Sequence, residues 1–197
     1  MDLLKPEKLW SRKEVLANPS PVPREPGVYA WFFRSVPPNV PAEDCLEAHG
    51  HKLLYVGIAP KPPPKNGRPP STQRLWDRVR NHYRGNAGGS TLRLSLGCLL
   101  SEQLGIALQR VGSGKRVTFG KEGEDRLSQW LQGNAFVSWV IDPEPWKLEE
   151  RLIADLSLPL NLDQNRDHPF HPMLSEIRKS ARRRARVLPG MLKGTTE

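Results

Sequence analysis

The chain has 197 residues, enough for one domain with extensions or at most two small ones. Its 30 Lys and Arg against 21 Asp and Glu leave a formal net charge of +9, which favours a polyanionic partner, nucleic acid ahead of an acidic membrane surface. Two cysteines do not make a disulfide framework, no apolar run nears the ~18 residues of a membrane span, and the charged start "MDLLKPEKLWSRKEVL" lacks a leader's apolar stretch, so a reduced cytoplasmic location with no membrane partner is expected.

Residues 1–25 read as an extension, with a short helix near 11–17 and then the proline-rich "NPSPVPREP". "GVYAWFF" at 27–33 and "KLLYVGI" at 52–58 are rich in β-formers and read as strands, separated by an irregular segment over 34–51. Six of the twelve residues in 60–71 are proline, which predicts a stiff, exposed, basic loop. Ser71 or Thr72 can cap a helix running to about Tyr83, stopped by "RGNAGG". A second helix is expected from Thr91 to about Gln109, then a short strand or extended connection at 116–120, a helix at 124–131, and a strand at 135–141. Pro143 or Pro145 suits the first turn of a helix ending near Ser157, and 172–187 forms a last, basic helix. The pattern predicts an α/β (α+β) domain over 26–165, with a small, mainly antiparallel three-stranded sheet flanked by helices, followed by a basic helical tail over 166–197.

Two helices carry polar groups where packing would not place them. In "TQRLWDRVRNHYRG", Leu75, Trp76, Val79 and Tyr83 share a face, and Arg74, Arg78 and His82 form a stripe along its edge. In "PWKLEERLIADL", Trp146, Leu148, Leu152, Ile153 and Leu156 define the apolar face, and Glu149 falls near its middle while Glu150 falls off it. A carboxylate in an apolar stripe is costly unless paired, hydrogen-bonded or bound to metal. One reading is a buried pair with Arg78. The other is a metal-assisted phosphodiester site, in which the carboxylate holds Mg²⁺, a cation steadies the phosphate, and a tyrosine or histidine manages protons.

Gly27-Val28-Tyr29 and Tyr55-Val56-Gly57 resemble the two halves of the GIY-YIG nuclease signature, each with Val in place of Ile. The family's following helix carries an Arg, often with His or Tyr four residues later, matching Arg78 and His82 in "DRVRNHY". Its Glu precedes two residues, an apolar pair and a later Asn, matching Glu149-Glu150-Arg151-Leu152-Ile153 and Asn161. The resemblance covers about 26–165, with loops 34–51 and 60–71 longer than the minimal module. It implies a metal-dependent endonuclease acting on DNA phosphodiesters, using Mg²⁺ or Mn²⁺. Tyr29 would act as general base or position the water, Tyr55 would hydrogen-bond the phosphate or water, and Arg78 would stabilise its charge. His82 would assist proton transfer, Glu149 would be the sole protein ligand of the metal, and Asn161 would brace the site. Two other readings stand beside it: an inactive nucleic-acid-binding module of the same fold, and an RNA or single-strand nuclease. A homodimer would allow both strands to be cut.

Lys61, Lys65 and Arg68 in the proline loop, Arg74 and Arg80 on the following helix, and Arg182, Arg183 and Arg184 in the tail are the expected backbone-phosphate contacts. "GSGKR" lacks the full phosphate-loop pattern, and Cys45, His49 and His51 lack the spacing of a zinc site.

Overall fold

The computed structural model describes residues 2–64, 66–112 and 115–187. The elements run β1 (Trp10–Ser11), α1 (Arg12–Val15), β2 (Gly27–Phe33), β3 (Glu47–Ala48), β4 (His51–Ala59), α2 (Leu75–Arg84), α3 (Thr91–Leu99), α4 (Ser101–Leu104), β5 (Gln109–Arg110), β6 (Val117–Thr118), α5 (Gly120–Asn134), β7 (Ala135–Ile141), α6 (Pro145–Asp155) and α7 (His171–Val187). No helix among the described residues is long and apolar enough to cross a membrane.

The main sheet has five strands in the order β1-β7-β2-β4-β3, all antiparallel. This corrects the expected three. The predicted strands form its centre, and two-residue strands, too short to carry a periodic signal, are added at both edges. β1 pairs with Phe136 and Val137. β3 closes a hairpin onto β4 inside the segment expected to be irregular. Its connecting residues, His49 and Gly50, both have positive φ (52° and 72°), as a two-residue primed turn requires. A separate ribbon pairs β5 with β6.

Every residue of β2 is buried, because the strand is flanked by β7 and β4 and covered on both faces. Tyr29, Trp31 and Phe33 pack with α2, α3 and α5, while Val28, Ala30 and Phe32 face Leu152 and Ile153 of α6. The register slips once. Trp31 pairs with Tyr55 but Phe32 pairs with Leu53, so Leu54 is an extra residue in a β-bulge. Leu54 and Tyr55 therefore both join the core on the Tyr29 face, which strict alternation would not allow.

Three helix boundaries depart from expectation. α2 starts at Leu75, not after Ser71 or Thr72. The Arg74 N–H donates to the Asp77 carboxylate at 2.9 Å, so a first-turn acid caps the helix in place of a hydroxyl. The helix expected over 91–109 stops at Leu99, and a further turn ends at Gly105 in left-handed conformation (φ 60°). The helix expected over 124–131 extends to Gly120–Asn134.

Beyond Lys52, β4 has no strand on its outer side. The segment after α6 covers that edge. Leu160 N–H donates to the Leu54 carbonyl at 3.0 Å. The Asn161 carboxamide then imitates a strand: its Oδ1 accepts from Val56 N–H and its Nδ2 donates to the Val56 carbonyl, both at 2.9 Å. One buried side chain thus satisfies both polar groups of an edge residue that would otherwise be left open.

Candidate active site

The two Gly/Tyr pairs meet across the sheet. Tyr29 lies opposite Gly57, and Trp31 opposite Tyr55. A Cβ on Gly57 would stand 2.6 Å from the Tyr29 hydroxyl, so the absent side chain is what lets the phenol cross β4. At Gly27 a Cβ would collide with the Val140 carbonyl and approach Leu75 Cδ1 to 2.7 Å. The space at both glycines is thus used by the protein's own packing. Gly57→Ala is expected to push the phenol off β4, costing about 1–3 kcal/mol and impairing any activity that uses Tyr29. Urea denaturation at wild-type midpoint would mean that the phenol has room to move.

α2 places Arg78 and His82 one turn apart beside these strands. His82 is buried, with Nε2 2.9 Å from the Tyr29 hydroxyl and Nδ1 2.7 Å from Ser90 Oγ. Burial, reinforced by Arg78 and Arg93, holds it well below the usual histidine range, so the imidazole is neutral. Burial also pushes the Tyr29 phenol up, with Tyr55 adding to the effect and the Arg78 guanidinium opposing it. Tyr55 is raised by burial too, and its hydroxyl sits 3.3 Å from Thr91 Oγ1 at the start of α3.

α6 lies on the opposite face of the sheet, yet its Glu149 reaches the pocket lined by Tyr29, Tyr55, Arg78 and Asn161. Burial pushes the Glu149 carboxyl up to about 7; Asp163 adds to this, while Lys61 and Gln164 pull it down. Among the described residues Glu149 makes no ion pair, so the pairing with Arg78 considered from the sequence is not formed. His82 stands behind Tyr29, off the pocket wall. The six residues singled out for chemistry are thereby brought together.

The expected backbone contacts are more scattered. Lys61 lines the pocket mouth, and Arg68 is exposed in the proline loop. Lys65 lies outside the described residues. Arg74 is half-buried at the start of α2, and exposed Arg80 stacks over Trp76 at 5.0 Å, with Arg24 also over that ring at 4.2 Å. Arg182, Arg183 and Arg184 are exposed on α7, with Arg183 paired to Glu176. Sequence reasoning missed Thr91, Asp163 and Arg178, which line the same pocket.

The sequence profile of the GIY-YIG catalytic domain matches residues 27–180. The chain belongs to the GIY-YIG nuclease family. No curated protein and no solved structure matches it. Membership in this family points to nuclease activity and hence a nucleic-acid substrate. GIY-YIG nucleases typically depend on a metal, and the pocket fits one. Among the described residues Glu149 is a half-buried carboxylate in no ion pair, with Lys61 the one cation acting on it and Asp163 adding negative charge beside it. No group of three or more His, Cys, Asp or Glu side chains that could hold a metal is gathered among the described residues. A divalent ion here would rest on one carboxylate and otherwise on water and phosphate oxygens, as Mg²⁺ commonly does.

Proposed function

We propose that this GIY-YIG domain hydrolyses phosphodiester bonds of DNA in a reaction dependent on Mg²⁺ or Mn²⁺. The observation that carries the reading is a Glu149 carboxylate that, among the described residues, forms no ion pair and shares a pocket with Tyr29, Tyr55 and Arg78. When bound at Glu149, the divalent cation supplies charge neutralisation on the phosphate and the leaving oxygen.

The chain's own groups handle the protons and the position of the phosphate. With the imidazole proton on Nδ1 and donated to Ser90, His82 Nε2 accepts from the Tyr29 hydroxyl. A water attacking phosphorus passes its proton to the Tyr29 oxygen as Tyr29 passes its own to His82. This relay needs no free tyrosinate, which burial disfavours. The P–O bond then breaks, the leaving oxygen takes a proton from solvent, and His82, in which burial disfavours the charged form, returns its proton through Tyr29 to solvent, so that both groups are restored. Arg78 compensates the charge that builds on the phosphate, and Tyr55 orients it by hydrogen bonding. Asn161 holds β4 in place so that Tyr55 and Gly57 keep their registers. The exposed arginines and Lys61 grip the backbone without reading sequence.

The test is a cleavage panel of supercoiled plasmid, linear duplex, single-stranded DNA and RNA, each with Mg²⁺, with Mn²⁺ and with EDTA. Cutting of duplex DNA that EDTA abolishes is the expected result. Cutting confined to RNA or single strands would replace the substrate, and binding without cutting on any member would favour the inactive binding module. Nicks against double-strand breaks on the plasmid report whether two copies act together.

A further inference from the structure

α7 carries a cation where its apolar face should be. Leu174, Arg178, Ala181 and Ala185 are spaced four, three and four residues apart, so they share one stripe. Leu174 and Ala185 are fully buried in the core, and Arg178 is half-buried between them. The stripe delivers this guanidinium to the pocket that holds Tyr55, Thr91 and Asp163.

The chain itself contains the comparison that decides what this arginine is for. Arg93 on α3 is also buried, and its donors are used. It binds the Glu124 carboxylate through Nε and Nη2, and the Glu124 and His82 carbonyls and the Ser128 hydroxyl through its terminal nitrogens. That is a structural arginine. Arg178 has five donors and, among the described residues, one long hydrogen bond, to Ser95 Oγ at 3.5 Å, and no ion pair. Asp163 lies near enough to influence it without closing on it, and Arg182, one turn along, repels it. A guanidinium set into an apolar stripe, repelled by a neighbour and left with free donors at a pocket wall is arranged for an anion that comes from outside.

Arg78 and Arg178 line one pocket together with Tyr29, Tyr55 and Asp163, and this sets the anion's place. Arg78 bears on Tyr29 and Tyr55, beside the proposed proton relay. Arg178 bears on Tyr55, Asp163 and Cys98, and Tyr55 is the neighbour they share. We infer that Arg178 binds the phosphate next to the scissile one on the same strand, so that the pocket grips two consecutive phosphates, one by Arg78 and the other by Arg178. This rests on the nuclease reading for what is cut, but not for what is bound. Arg178 is in this account a positioning residue: it sets where the strand lies and takes no part in bond breaking.

Arg178→Gln and Arg178→Lys would be compared with the parent protein on a short DNA duplex carrying single methylphosphonates, each of which removes one phosphate charge. Binding would be measured in a Glu149→Gln background, so the readout does not need cleavage. Arg178→Gln is expected to weaken binding about tenfold or more and to flatten the dependence of log affinity on log salt by about one phosphate contact. One methylphosphonate, adjacent to the mapped cut, should weaken the parent by a similar factor and leave Arg178→Gln unaffected. Arg178→Lys should recover part of the loss, since charge returns without the fork. With Glu149 present, KM should rise by the same factor with kcat little changed. Equal binding by Arg178→Gln and its parent would overturn the inference. So would a weakened variant that keeps every methylphosphonate penalty, because the residue would then act on the fold alone. A binding cycle that holds in a protein that cuts no nucleic acid would sink the nuclease reading and leave the phosphate contact standing.

Discussion

Glu149→Gln is expected to lose cleavage by at least about 10³-fold, to keep its affinity for nucleic acid at low salt, and to be more stable than the wild type. The last part separates a working carboxylate from a structural one. In metal-free protein the folded-state value of about 7 lies above the unfolded reference of roughly 4.3. Between those values the folded state holds a proton that the unfolded state has released. Raising the pH through that window therefore lowers stability, and above about pH 7 the whole penalty is present. A neutral carboxamide at this position would carry none of it. The urea midpoints of mutant and wild type, measured in EDTA, should coincide near pH 4, part as pH rises, and settle at a gap on the order of 3–4 kcal/mol. Saturating Mg²⁺ should close part of that gap by stabilising only the wild type. A mutant less stable than wild type at neutral pH would make Glu149 a packing residue and remove the metal assignment.

Glu124→Ala should cost about 3–5 kcal/mol, a large share of what holds a domain of this size together. Glu124 Oε2 binds Arg93 Nε at 3.0 Å and Nη2 at 2.7 Å, with Arg93 fully inaccessible. Its Oε1 accepts from Ala87 N–H, Phe119 N–H and the Thr118 hydroxyl, at 2.9–3.1 Å. Alanine would leave a buried cation with carbonyl and hydroxyl partners but no counter-charge, and two buried backbone donors without partners, and such groups cost more than a pair contributes. Glu124→Gln, which keeps an acceptor but not the charge, should fall between. The damage should reach the site, because Arg93 N–H also donates to Ser90 Oγ, the group that holds His82. A urea midpoint for Glu124→Ala within experimental error of wild type would mean that water replaces the carboxylate and that the pair contributes nothing.

What the sequence disclosed follows from length and periodicity. The three long strands and the two site-bearing helices emerged because each repeats its pattern over several residues, although the start of α2 was misplaced because an acid and not a hydroxyl caps it. β1 and β3 did not, since two residues carry no period, although His49-Gly50 is a legible primed-turn pair. The bulge at Leu54 was hidden because nothing in "KLLYVGI" marks which residue is supernumerary. The helical-face argument singled out Glu149 as a misplaced charge. Extended to the other helices, it would have found two more. Glu124 shares a stripe with Leu127 and Leu131 on α5, and Arg178 sits in that of Leu174 and Ala185 on α7. What no such argument supplies is the partner: Arg93 answers Glu124 from another helix, while Glu149 and Arg178 both open onto the pocket, and only the tertiary structure separates these fates.

The carboxamide that seals the outer edge of β4 bears on how this family's remnants should be recognised. Asn161 closes two backbone groups of Val56 whether or not the chain cuts anything, so loss of catalysis would not release the position from selection. Glu149 is under the opposite pressure, since in the metal-free state its ionised form destabilises the fold at neutral pH. A lineage that stopped cutting would be expected to shed Glu149 early and keep Asn161 long afterwards. On the reading proposed above, the asparagine would mark the architecture and the glutamate would mark a site still kept for chemistry.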